Sequence, residues 1–131
     1  MKLFDSHCHL NDERFNEDRE SLIIALKNEG VEKLVTAGYS LESSKEAIKL
    51  ANKYDFIYGA CGIHPSYSKY YYKMSYIDDL YEYHKENKIL AVGEIGLDYF
   101  YKDLDVCIQK EIFKEQLDFA KQLNKPVIIH C

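Results

Sequence analysis

Apolar residues along the chain alternate between short runs rich in Val, Ile, Phe and Tyr and longer stretches with helical spacing. The short runs predict strands at about residues 2–6, 33–37, 56–61, 89–93 and 126–130. The longer stretches predict helices at about 16–29, 43–53, 75–87 and 105–124. Gly30 stands where a helix C-terminal glycine belongs. Ser43, with Glu46 three residues on, fits a capping box, and Asp105 fits the N-cap of the last helix. In that helix Ile108, Ile112, Phe113, Leu117, Ala120 and Leu123 form one apolar stripe. His84, between Tyr83 and Lys85 on a helix, reads as a surface histidine.

A strict βαβα alternation implies a parallel sheet with helices packed on it. Both a doubly wound sheet and a TIM-like (β/α) barrel satisfy the pattern. A dinucleotide-binding sheet would place a Gly-rich phosphate loop after its first strand. Here that strand runs into His7-Cys8-His9-Leu10-Asn11-Asp12, which favours the barrel.

Side chains two apart on a strand point the same way, so His7 and His9 converge while Cys8 points away. At the C-terminal mouth of a barrel strand both would face the axis, where catalytic groups of this fold collect. Two imidazoles there can chelate one divalent ion, although a lone His-x-His pair is equally compatible with two metal-free strand-end histidines. Glu94 follows the fourth strand between glycines that let backbone or ligand approach closely. His130 ends the fifth. One carboxylate and three histidines at the tips of three strands form a ligand set.

Four segments carry a more specific signal: Asp5-Ser6-His7-Cys8-His9-Leu10, Gly62-Ile63-His64-Pro65, Gly93-Glu94-Ile95-Gly96-Leu97-Asp98-Tyr99 and Pro126-Val127-Ile128-Ile129-His130-Cys131. In content and order they resemble the signature segments of the TatD family, metal-dependent deoxyribonucleases among the amidohydrolase-like barrels. The stretch from Gln109 to Leu123, with Gln116, resembles the helix between the last two segments. The resemblance implies that residues 1–131 are the N-terminal portion of such a barrel, with about five of eight strands. It implies that His7 and His9 bind one metal, that Glu94 bridges two, and that His130 binds the second. His64 corresponds to a family histidine near the substrate phosphate; its other role is a turn residue before Pro65. Asp98 is expected to orient a ligand or its loop, and Asp5 either supports the ligands or is solvated. A further metal histidine and a water-activating aspartate of the family are expected beyond Cys131, which leaves open an inactive fragment or one completed by another chain.

The implied function is a deoxyribonuclease with two divalent ions, drawn from Mg, Mn or Zn, acting on single-stranded DNA or DNA ends. A His-rich set favours zinc or manganese over magnesium on physical grounds. The same scaffold also serves hydrolysis of small amides, esters or phosphotriesters. A net charge of -5 argues against holding nucleic acid by a basic surface alone, but bound cations remove that difficulty. Aromatic residues beside lysines at Ser68-Lys69-Tyr70-Tyr71-Tyr72-Lys73 read as packing; those at Tyr99-Phe100-Tyr101-Lys102 read equally as packing or as base stacking. No apolar run approaches the ~20 residues of a membrane helix. Four cysteines without a CxxC spacing read as reduced thiols of a cytoplasmic protein. An open barrel also invites self-association through its uncovered strands.

Overall fold

The computed structural model describes residues 2–131. Five strands alternate with helices: β1 (Leu3–Cys8), α1 (Arg19–Asn28), β2 (Val31–Ala37), α2 (Leu41–Lys53), β3 (Ile57–Cys61), α3 (Ser68–Tyr71), α4 (Tyr76–Tyr83), β4 (Ile89–Gly96), α5 (Val106–Leu123) and β5 (Val127–His130). The sheet is entirely parallel, in the order β1-β2-β3-β4-β5. Each strand pairs with its sequence neighbour, as expected for an incomplete TIM-like barrel and not for a doubly wound sheet, whose order doubles back.

The helices cover one face of the sheet. Ile63, Leu80, Ile89, Val92, Ile95, Ile112 and Phe119 form one core beneath α4 and α5. Leu10, Ile23, Leu34, Leu50, Phe56 and Ile57 form another beneath α1 and α2. Alternation along β2 sends Leu34 into this helix-side core and Val35 and Ala37 to the opposite face. There they meet Ala60 and Ala91, with Tyr58 and Ile128 against them. These are the side chains of a barrel interior. Cover thins towards the outer strands, where Phe4 on β1 (65 % exposed) and Ile129 on β5 (49 %), on the face opposite Ile128, lie open.

Several local expectations are corrected. The first helical segment is split: a 3-10 turn at Glu13–Phe15 precedes α1, which starts only at Arg19. Arg19 ties the break together, donating to the Leu10 and Asp12 carbonyls at 2.6 and 2.7 Å and to Asn16 Oδ1 at 2.8 Å. The capping box of α2 is formed by Ser40 and Ser43. Ser40 Oγ accepts from the Ser43 amide (3.1 Å), and Ser43 Oγ accepts from the Ser40 amide (2.8 Å). Ser43 is thus the third residue of the helix and not its cap, while Glu46 pairs with Lys49 instead. Segment 68–71 is a short helix, with Tyr71 buried.

His84 is buried and not on the surface. It caps the C-terminus of α4, its Nε2 lies 3.1 Å from the Cys61 carbonyl, and Lys125 Nζ lies 3.3 Å from its Nδ1. Because the carbonyl accepts and the ammonium donates, the neutral ring with its proton on Nε2 satisfies both partners. Burial, with a smaller push from the Lys125 charge, lowers its pKa to about 4.

Two expectations held at helix ends. Asp105 accepts from the Cys107 and Ile108 amides, and Gly30, at φ 98°, terminates α1. The buried face of α5 is less apolar than its pattern: Leu117 is 36 % exposed, whereas Gln109 and Gln116 are buried.

Candidate metal centre

The site assembles at the C-terminal ends of the strands. His7, on β1, and His9, just after it, direct Nε2 at one oxygen of Glu94 from 3.2 and 3.1 Å. Glu94 lies near the end of β4 and is 5 % exposed. Its other oxygen is 3.1 Å from His130 Nδ1, at the end of β5. One carboxylate therefore faces two separate imidazole groups, one with each oxygen. His64, just beyond β3, packs edge-on against His130 with ring centroids 4.3 Å apart. Two candidate ligand groups share Glu94: His7 with His9, and His64 with His130.

Tautomers decide what this arrangement can hold. His9 Nδ1 lies 2.9 Å from the Ala37 carbonyl oxygen. A carbonyl only accepts, so Nδ1 carries the proton, and a neutral ring presents a bare lone pair at Nε2. That lone pair meets Glu94 Oε2 at 3.1 Å. Two acceptors at this separation repel unless a proton or a cation lies between them. Without a metal a proton can fill that place: the hydrogen bond to Glu94 raises the His9 pKa against the opposing effect of burial. Burial would by itself push the Glu94 carboxyl up, but the His9 hydrogen bond and the charges of His7, His64 and His9 hold it at about 2. A divalent ion satisfies the same atoms, since imidazole nitrogen and carboxylate oxygen each bind zinc at about 2.0–2.2 Å. The donor set fits such an ion.

His64 is different. Its Nδ1 accepts from the Ser66 amide at 3.1 Å and lies 2.8 Å from Ser66 Oγ. Burial, followed by the neighbouring His130, lowers its pKa to about 4, so the ring is neutral near pH 7. With Nδ1 accepting, the single proton sits on Nε2. His64 is thereby a hydrogen-bond donor, which outweighs its proximity to Glu94 and His130 as an argument for ligation.

Asp98 is buried beyond β4, with Oδ1 accepting from the Phe100 amide at 3.0 Å and Oδ2 facing His130 Nε2 at 3.5 Å. A carboxylate behind the second ring nitrogen orients a histidine whose first nitrogen faces a metal. Asp5 stays outside, its Oδ1 accepting from the His7 amide at 3.1 Å. Tyr99, Phe100 and Tyr101 project from the loop after β4, and Phe100 is 84 % exposed.

Two glutamines on α5 hold the loops that carry these groups. Gln116 accepts from the Ile63 amide (2.7 Å) and donates to the Ile63 carbonyl (2.9 Å), next to His64. Gln109 does the same for both backbone groups of Asp98, at 2.7 and 2.8 Å. They are seven residues apart, two turns of helix, and so share a face. The glycines around Glu94 serve backbone approach: a Cβ on Gly96, at φ 149°, would lie 2.0 Å from the His130 carbonyl oxygen. Periodicity alone missed the glutamine contacts, although a polar residue at a core position of a helix is the signal for them.

Residues 4–131 match the family model described as TatD related DNase. The chain belongs to the TatD-related DNase family. It is 38 % identical over 130 residues to the metal-dependent hydrolase YabD of Bacillus subtilis, covering 98 % of this chain and 50 % of that protein. The 3'-5' ssDNA/RNA exonuclease TatD of Escherichia coli is 30 % identical, with 98 % and 49 % covered. Among solved structures, the TatD homolog YjjV of Escherichia coli superposes with a TM-score of 0.86 at 32 % identity, over 98 % of this chain and 50 % of that one. A TatD-family hydrolase from Entamoeba histolytica shares the fold, with a TM-score of 0.88 at 23 % identity, over 100 % of this chain and 50 % of that one. The chain thus spans about half the length of the relatives it matches. No helix among the described residues is long and apolar enough to cross a membrane.

Proposed function

We propose that the protein acts as a metal-dependent deoxyribonuclease on single-stranded DNA or DNA ends, using a binuclear centre of Mg, Mn or Zn. The observation that carries this is the buried Glu94 carboxylate, with one oxygen facing His7 and His9 and the other facing His130. In this reading His7 and His9 with Glu94 would hold one ion, and His130 with Glu94 would hold the other. Bound there, divalent ions lower the pKa of water and neutralise charge on a phosphodiester.

The chain's own residues do the rest. The Ala37 carbonyl holds His9 in the tautomer that leaves Nε2 free for a ligand. Asp98 orients His130. His64, fixed by the Ser66 amide, offers Nε2–H to a phosphate oxygen and supplies a neutral donor where charge develops. Cations at the site also reconcile the net charge of -5 with a polyanionic substrate.

The test is cleavage of end-labelled single-stranded DNA by the purified chain with magnesium, manganese or zinc, beside Glu94→Gln. Metal-dependent cleavage abolished in Glu94→Gln is the expected result. Hydrolysis of small esters with no cleavage of nucleic acid under any metal would refute the nuclease assignment. The exposed Phe4 and Ile129 on the outer strands support self-association of the chain, which sedimentation at several concentrations measures. A monomer at every concentration would count against it.

A further inference from the structure

The cleft beside the ligand cluster has a volume of about 430 Å³ and an aromatic wall. Tyr39, in the loop after β2, and Tyr67, in the turn after β3, stand with ring centroids 5.3 Å apart and planes inclined by 35°. Tyr39 is also 6.1 Å from the His9 ring, so the wall begins next to a candidate metal ligand. Tyr70 continues it outward, 6.2 Å from Tyr67. Two segments distant in sequence, one after β2 and one after β3, thus bring rings into one row that starts at the site.

Charge on the rim decides what the wall can receive. Asp12, Glu13 and Arg14 line the same cleft. The Arg14 guanidinium is already paired with the Asp12 carboxylate through bonds of 3.0 and 3.2 Å. That leaves Glu13 and a net negative rim, which disfavours a phosphate there. A flat, uncharged group faces no such repulsion. The polarity of the cleft therefore runs from a cation-seeking end at Glu94 to an aromatic end at Tyr39 and Tyr67.

We propose that Tyr39 and Tyr67 form a subsite for one unpaired nucleobase, that of the nucleotide whose phosphate sits at the Glu94 cluster. This rests on the nuclease function proposed above. The ligand class is single-stranded nucleic acid, because a base must leave its own stack to lie against these rings. Aromatic side chains accept any base in this way, so the subsite selects for an unpaired base and not for sequence.

Binding of a fluorescein-labelled oligothymidylate in manganese, compared with a strand of equal length whose sugars carry no bases, tests the assignment. The wild-type chain should bind the intact strand more tightly by roughly 5- to 150-fold, the range for one stacked base. Tyr39→Ala should lose that preference and Tyr39→Phe should keep it. Tyr67→Ala, farther from His9, gives the same readout should Tyr39→Ala fail to fold. Equal affinities for the two wild-type strands, or a preference surviving in both alanine variants, would overturn the subsite alone. Binding of neither strand would overturn the nuclease function and the subsite together.

Discussion

Replacing Gln116 by Leu removes an amide of similar size from a fully buried position on α5. The helix should survive, since Leu is a good helix former. What changes lies across the interface, where the Ile63 amide and carbonyl lose their 2.7 and 2.9 Å partners. Ile63 is only 1 % exposed, so water does not replace them without rearrangement. Each stranded backbone group costs about 1–3 kcal/mol, so the pair costs about 2–6 kcal/mol. Total stability of a domain is about 5–15 kcal/mol, which makes the loss severe. For a chain of this size it corresponds to a fall in Tm of roughly 6–30 °C.

Gln116→Glu separates the two bonds. A carboxylate still accepts from the Ile63 amide, but it offers the Ile63 carbonyl no donor until it is protonated. This variant should therefore regain stability relative to Gln116→Leu as pH falls through the carboxyl range. Urea unfolding of the three proteins between pH 7 and pH 4 provides the measurement. A Gln116→Leu chain within about 0.5 kcal/mol of wild type would refute the reasoning.

Three other outcomes follow from the same structure. His84 titrates at an ordinary 6.5 when unfolded and at about 4 when folded, so below 6.5 the unfolded chain binds the extra proton. The neutral buried ring should thus cost the fold up to about 3 kcal/mol between those limits. Urea midpoints that fall with pH less steeply in His84→Gln than in wild type would agree; identical slopes would not. His9→Ala should lower zinc affinity strongly in calorimetry, whereas His64→Ala should leave it within a few-fold and reduce cleavage by about 10²–10³, as for loss of a preorganised donor. A large loss of zinc affinity in His64→Ala would make that residue a ligand. Gly96→Ala must push the β5 backbone away from β4 and adopt a disfavoured φ, so it should destabilise by more than about 2 kcal/mol; a thermal scan matching wild type would contradict the close strand approach.

Much of the site was legible because strand geometry is simple. Alternation puts His7 and His9 on one side, and a residue at the C-terminal end of a barrel strand has few places to go, which brought Glu94 and His130 into the same neighbourhood. Residues whose roles depend on other parts of the chain were not legible this way. His84 sits among polar helix residues, and its burial follows from Lys125 and the Cys61 carbonyl, both distant in sequence. Gln109 and Gln116 interrupt an apolar face for the sake of backbone groups that only the folded loops present. The capping serine differed by three residues because Ser40 and Ser43 are both chemically able to cap, and the start of α2 chooses between them. Tyr39 and Tyr67 carry no local pattern; two loops must meet before the rings form a wall.

The outermost strands of the sheet, β1 and β5, share no hydrogen bonds, yet both send imidazoles to the single carboxylate on β4. Ions held between these groups would act as a tie across the arc of the sheet. Flattening the arc would stretch the tie, and tightening it would crowd the imidazoles, so coordination there would fix curvature as well as supply chemistry. On this view a chelator does more than silence the site. It slackens the span between the outer strands, and amide exchange in β1 and β5 should quicken together while β2 and β3, paired on both sides, stay slow.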